Sequence, residues 1–355
     1  MFKPASMRTL RVSSWGSEIP PTVSSVPEPP IPPAGSTRIR ILASALTNLV
    51  RSQANGTHYS MTNVPLPYVP GIDATGFTPG NKLVYVNLFH NKPIGGGFAE
   101  YVSAVDRAIT PITISADASD ADVRDAGIKV ASLMNPAMSS WMALKYRARV
   151  DDFSSASTSF TVLILGVTST SGRIAALFAR HLGAKSVIGV ARNSVELEGL
   201  KNAGTIDQAI ILNKEDVSQT DFTILSKSVD NYPLIVLDYI YGPVALATLS
   251  ALPRSANQAE NLEIRYVHVG TLGRQTEFAL PGVLLRSKNI TISGAGPGSW
   301  SMAAYAKETP DLVKAISEVI PSEGWEVEYG IVERKLEDVE AAWADEQSRT
   351  VFVMV

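Results

Sequence analysis

The rhythm of apolar and polar positions changes along the chain, and each change marks a different kind of element. Over the first ~130 residues, short alternating runs such as Arg38-Ile-Arg-Ile-Leu-Ala and Leu83-Val-Tyr-Val are cut by turn residues. Pro79-Gly-Asn-Lys precedes the second run, and glycines 95–97 precede Phe98-Ala-Glu-Tyr-Val102. Period-two alternation with frequent turns predicts a compact, mostly β domain. Residues 20–36 are dense in proline and predict an extended connection between edge strands. From Asp120 to about Val150 the spacing becomes helical, and Asn135-Pro136 is expected to break that helix in two. Strand-length apolar runs then alternate with helical stretches: Val162–Leu165, Ser186–Ala191, Gln208–Leu212, Leu234–Leu237, Arg265–Val269 and Ile290–Ser293. Six such strands, most followed by a helix, predict an α/β doubly wound parallel sheet. Beyond Gly298 a helix around Pro310–Ile320 gives way to alternating stretches at Val327–Val332 and Thr350–Val355. The simplest topology returns this tail to the first domain.

One strand-to-helix passage carries chemistry. Thr161-Val-Leu-Ile-Leu leads into Gly166-Val-Thr168-Ser169-Thr170-Ser171-Gly172, and an amphipathic stretch follows up to Gly183. A strand, a turn of small residues and a helix N-terminus together form a cradle for a dinucleotide pyrophosphate. The helix dipole and its unpaired N–H groups face the anion, and small side chains let the backbone approach it. The fingerprint is incomplete, because Ser169 stands where a glycine is usual. About 20 positions past such a turn, an acidic residue meets the ribose of NAD and an arginine meets the 2′-phosphate of NADP. Here Arg192-Asn193 ends the second strand, with no Asp or Glu between Lys185 and Val195. Arg192 is either a phosphate ligand or a solvated arginine at a strand end, and the pattern favours NADP(H).

At 355 residues the chain is long for one core and predicts two domains. A net charge of −3 gives no reason to invoke nucleic acid, and no apolar run approaches the ~20 residues of a membrane span. Met1-Phe-Lys-Pro-Ala-Ser-Met-Arg lacks the apolar core of a signal peptide, so a cytoplasmic location is the expectation. There is no cysteine, which removes thiolate catalysis, iron–sulfur clusters and cysteine-based zinc sites. The four histidines, His58, His90, His181 and His268, are scattered without a His-x-x-x-His pair, so no metal is expected.

Taken in order, further motifs make the chain resemble the medium-chain dehydrogenase/reductase superfamily, in its zinc-free quinone oxidoreductase-like branch. They are Val69-Pro-Gly-Ile-Asp73 with Gly76, Pro79-Gly80, Gly96-Gly-Phe-Ala-Glu-Tyr-Val102 and Asn135-Pro-Ala-Met-Ser-Ser-Trp-Met-Ala-Leu144. Gly166–Gly172, Leu237-Asp238, Val269-Gly270 and Leu336-Glu-Asp-Val-Glu-Ala-Ala-Trp343 with Arg349 complete the series. Zinc-dependent relatives have a cysteine near Asn48 and a His-Glu pair after the glycine at 71. Here those positions read Thr47-Asn48 and Ile72-Asp73.

The resemblance implies a GroES-like catalytic domain over 1–135 and 299–355, a Rossmann domain over 136–298, and a homodimer. It implies NADPH-dependent hydride transfer to a small molecule, an α,β-unsaturated carbonyl or a quinone. Without a metal to polarise a simple ketone, a conjugated acceptor suits hydrogen-bond donors that stabilise an enolate. The resemblance makes Tyr59 the proton donor and Asn48 a polar residue of the substrate pocket. Tyr59 is alternatively a loop tyrosine packed on the prolines at 65–70, and His58 is either a substitute donor or solvent-exposed. Ser139 matches a threonine that touches the nicotinamide amide. Thr168, Ser169, Thr170, Ser171 and Gly172 would cradle the pyrophosphate, with Arg192 and Asn193 on the 2′-phosphate. Gly270 and Gly294 at strand ends, and Arg349, join the cofactor-binding set; for the two glycines a turn with positive φ is the alternative. Asp238 would cap the next helix. The substrate pocket would be formed by loops such as 86–96 and 240–260. Two other readings stay open: a pathway-specific tailoring reductase acting on an imine or polyketide intermediate, and a non-catalytic NADPH-binding protein.

Overall fold

The computed structural model describes residues 5–16, 20–91, 95–153, 159–228, 233–253, 262–275 and 277–354, so parts of the expected pocket loops 86–96 and 240–260 lie outside the described residues. The chain divides into two compact units, Met1–Asn135 with Thr309–Val355, and Pro136–Glu308.

The first unit is built on a largely antiparallel sheet. Its strands run in the order Ile331–Arg334, Arg349–Val353, Ser36–Ala45, Asp73–Phe77, Leu83–Asn87 and Ile109–Pro111, with Tyr101–Val105 also paired to Ser36–Ala45. The C-terminal tail enters this sheet through the ladder Val351 to Ala45, Phe352 to Ser44 and Val353 to Ala43. Phe98 and Phe352 meet edge to face at 4.9 Å in the core beneath it. Part of the proline-dense stretch is itself a strand: Thr22–Pro27 pairs antiparallel with Ser6–Arg11. Its interior, Val-Ser-Ser-Val, contains no proline, so the ladder donors are intact and the prolines are left to its flanks. Residues 325–328 form a helical turn, and the strand expected from Val327 begins at Ile331.

Asn135-Pro136 does not break the helix. One helix runs from Asp120 to Met142 with Pro136 inside it, and ends in a π turn at Ala143–Arg147. An interior proline removes one donor at a cost of about 3 kcal/mol. Burial of Ala131, Leu133, Met134, Ala137 and Trp141 offsets that cost.

The second unit carries a six-stranded parallel sheet of β1 (Phe160–Leu165), β2 (Ala184–Ala191), β3 (Gln208–Ile211), β4 (Leu234–Asp238), β5 (Glu263–His268) and β6 (Asn289–Gly294). The spatial order is β3-β2-β1-β4-β5-β6. Every residue of β1 and β4 is buried, as their unbroken apolar runs require of strands covered on both faces. The order reverses between β1 and β4, and the carboxyl ends on either side of that point are where a doubly wound sheet binds its ligand.

Candidate functional site

The turn after β1 is closed on itself. Gly166 has φ +89°, a conformation that favours glycine. At Gly172 an added Cβ would stand 2.3 Å from the Gly166 carbonyl oxygen and 2.7 Å from Val167 Cα, so only glycine lets the helix start lie against the turn. Ser169 caps helix α1 (Thr170–His181): its Oγ accepts from Gly172 N–H at 3.1 Å and donates to Gly166 O at 2.8 Å. Its hydroxyl is therefore spent inside the turn. The N–H groups of Thr168, Thr170 and Ser171 meet no acceptor among the described residues. Three unpaired donors at a helix N-terminus fit an anion.

Beside this turn lies a cavity of about 720 Å³ bordered by Thr168, Ser169, Ile240 and Tyr241. Three cations reach it: Arg192 beyond β2, Lys214 beyond β3 and Arg274 beyond β5. None of the three has an ion-pair or hydrogen-bond partner among the described side chains. Arg274 and Tyr241 hold positive φ, +58° and +66°. Asp238 builds the turn that carries Tyr241. Its Oδ1 accepts the N–H groups of Ile240 (2.9 Å) and Tyr241 (2.8 Å), and its Oδ2 accepts the Tyr266 hydroxyl at 2.7 Å. Burial raises the Asp238 carboxyl above its ordinary range, and these hydrogen bonds oppose the rise. Asp238 thus caps the turn that precedes the helix Pro243–Ala251, not the helix itself.

In the first unit, Asn48 opens the helix Asn48–Ala54, which Thr47 caps by accepting from Val50 N–H at 3.2 Å. Tyr59 lies on the 3₁₀ turn Tyr59–Met61 and is 67% exposed. Its ring lies 4.2 Å from the His58 ring and is tilted 37° to it, so His58 is a packed, half-buried ring. Arg349 starts a central strand, and its Nε is enclosed without a partner. Partial burial lowers its pKa. Among the described residues, no three His, Cys, Asp or Glu side chains converge as a metal site would require.

No family model matches this sequence. The chain is 33% identical over 377 positions to a protein of Emericella nidulans named "Probable NADPH-dependent quinone reductase tdiC", covering 98% of this chain and 99% of that one. It belongs to the medium-chain dehydrogenase/reductase superfamily, in the quinone oxidoreductase branch. Solved structures share its fold over nearly the full length. The quinone oxidoreductase of Coxiella burnetii superimposes with a TM-score of 0.64 at 17% identity, covering 99% of this chain and 100% of that one. A cobalt- and zinc-bound alcohol dehydrogenase of Pyrobaculum aerophilum gives the same TM-score at 19% identity, again over 99% and 100%.

Within this superfamily member, the residues expected from sequence lie in different surroundings. Thr168, Ser169 and Arg192 border one cavity, with Thr170, Ser171 and Gly172 in the adjoining helix start. Asn193 sits beside Arg192, but its amide is engaged: Oδ1 caps the helix Ser194–Asn202 and Nδ2 donates to Glu196 at 2.7 Å. Gly270 and Gly294 lie at the ends of β5 and β6, and neither has positive φ. A Cβ at Gly294 would meet nothing within 4 Å, so the space above it is open.

Ser139 is half-buried: its hydroxyl donates to Pro136 O at 2.8 Å, and it also faces the Tyr239 hydroxyl. Its neighbour Ser140 is fully buried and shares hydrogen bonds of 2.9 Å with the Tyr239 hydroxyl and with Ser171 O, in the first turn of α1. Burial pushes the Tyr239 phenol up, so it stays protonated. Sequence reasoning missed Tyr239, Lys214 and Arg274. The available signal was position: each lies just past the carboxyl end of a parallel strand.

Proposed function

We propose that the chain is an NADPH-dependent reductase of quinones or α,β-unsaturated carbonyls. The observation that carries this reading is the set of unpaired cations, Arg192, Lys214 and Arg274, on one cavity with an anion-ready helix N-terminus. A dinucleotide with an extra phosphate on its adenosine ribose matches that charge; NADH, lacking that phosphate, offers the cations less to pair with. The name of the Emericella relative points the same way.

When bound, NADPH supplies the hydride. The N–H groups of Thr168, Thr170 and Ser171 hold the pyrophosphate, and Gly172 keeps them together. Ser140 and Tyr239 fix the helix that carries Ser139, whose hydroxyl meets the nicotinamide amide. Arg349 pairs with a cofactor phosphate, and Gly270 and Gly294 leave room for the cofactor at the strand ends. Asn48 donates to the acceptor carbonyl. The Tyr59 phenol supplies the proton, since a phenol stays protonated at neutral pH. Polarisation by hydrogen bonds alone suits a conjugated acceptor, whose charge is delocalised as the hydride arrives.

The test is steady-state oxidation of NADPH against quinones, enones and cyclic imines. Turnover on quinones or enones is expected; turnover confined to imines, or none, contradicts the reading. We also propose that two copies join through β6, which among the described residues pairs on one side only and has exposed Ile292 with Val283 and Leu285 nearby. Sedimentation should give a dimer that Ile292→Lys dissociates, and a wild-type monomer contradicts it.

A further inference from the structure

We propose that Gln53 and Ser60 are positioning residues for the Tyr59 phenol, acting through the imidazole of His58. The inference rests on Tyr59 being the proton donor. Tyr59 itself is loosely held: its phenol makes no hydrogen bond among the described residues, and its ring has the imidazole as its aromatic neighbour at 4.2 Å. The imidazole is tightly held. Ser60 N–H donates to His58 Nδ1 at 3.2 Å, and Ser60 Oγ lies 2.8 Å from the same nitrogen. A backbone N–H can only donate, so Nδ1 bears a lone pair and the neutral ring carries its hydrogen on Nε2. Ser60 Oγ then donates to Nδ1 while accepting from Gln53 Nε2 at 2.9 Å. Gln53 Oε1 accepts in turn from the Tyr68 hydroxyl at 3.2 Å. Every donor in this chain faces an acceptor, in one direction.

The chain is anchored in the interior. Gln53 is fully buried, where an amide is stable only when its hydrogen bonds are made. Tyr68 is buried too, and burial pushes its phenol up, which keeps it a donor. A second anchor backs the ring: Phe89 meets the imidazole edge-on at 6.2 Å. The Phe89 N–H donates to Asn87 Oδ1 (3.1 Å), Asn87 Nδ2 to the Tyr85 hydroxyl (3.3 Å), and that hydroxyl to Asp73 (2.7 Å). A fixed imidazole therefore restricts an otherwise free phenol. Proton transfer depends on such restriction, because a displacement of about 1 Å costs roughly a hundredfold in rate.

Double-mutant cycles on kcat test this. Tyr59→Phe should lower kcat about a hundredfold. Gln53→Met and Ser60→Ala should each lower it about tenfold with NADPH affinity unchanged, and Ser60→Thr should restore it. In the Tyr59→Phe background the Gln53 and Ser60 substitutions should have no further effect, since they act through the phenol. Ser60→Ala should also change the ¹⁵N tautomer signature of His58, which is resolvable among four histidines. If Gln53→Met does not fold, the half-exposed Ser60 carries the test. Wild-type kcat in both positioning variants, or full additivity with Tyr59→Phe, overturns the inference. Wild-type kcat in Tyr59→Phe overturns the donor assignment itself, and the inference with it.

Discussion

The turn at Gly166–Gly172 is fixed through its backbone, whose carbonyls accept from Ser169, Ser140 and Arg173, whereas at His58–Met61 the imidazole is fixed by side chains gathered from positions 53, 60, 68 and 89. The first presents backbone N–H groups, which the fold places wherever a strand meets a helix. The second presents a phenol, whose placement depends on a chain of side-chain bonds. A backbone-built site is intolerant at its glycines and indifferent to its hydroxyls. A side-chain-built site fails at any link.

The largest effect should follow from breaking the first turn. Gly172→Ala drives a methyl group into Gly166 O and Val167 Cα, which are backbone atoms that cannot move aside. It should cost about 2–3 kcal/mol of stability and abolish NADPH binding, measured by thermal unfolding and fluorescence titration. A stable variant with intact binding would show that the helix start does not need this close approach.

This contrast also explains what was legible in the sequence. The β1 turn, the six parallel strands and the place of Arg192 at a strand end could be read because each depends on local pattern: an apolar run, small residues, a strand end. The Tyr68–Gln53–Ser60–His58 chain could not be read, because its members come together only in the folded unit and none forms a recognisable motif. Lys214 and Arg274 were missed for a related reason, since each lies past a strand in a loop whose course no periodicity records. Pro136 misled in the opposite sense: its local preference to end a helix is real, but burial of the helix around it outweighs that preference.

Asp73 sharpens the comparison from the interior of the second site. Burial pushes its carboxyl from 3.8 up to about 6, although the Tyr85 hydroxyl favours the ionised form. The folded pKa is raised, so the contribution of the protonated carboxyl is complete below 3.8 and is lost as pH rises through about 6. Above that pH the buried carboxylate costs the fold about 2–3 kcal/mol. Asp73→Asn, which keeps the acceptor for Tyr85, should stabilise the protein by that order at pH 8 and leave it unchanged at pH 3.5 in urea unfolding. Equal stability at both pH values would mean that the carboxyl is not desolvated.

The smallest effect is expected at Ser169. Ser169→Gly restores the usual glycine of the fingerprint but removes a cap that glycine replaces at a cost of only a few tenths of a kcal/mol. NADPH affinity should stay within about threefold, because the hydroxyl already bonds inside the turn. A larger loss would mean that the hydroxyl reaches the cofactor.

The central claim, that the cavity beside the β1 turn selects a phosphorylated dinucleotide, is tested most directly by calorimetric titration of NADPH and NADH. The wild-type chain and the Arg192→Ala, Lys214→Ala and Arg274→Ala variants would be compared at one ionic strength. NADPH should bind at least about tenfold more tightly than NADH, and each substitution should weaken NADPH while leaving NADH unchanged. Equal affinities in the wild-type chain, or equal losses for both dinucleotides in the variants, would contradict it.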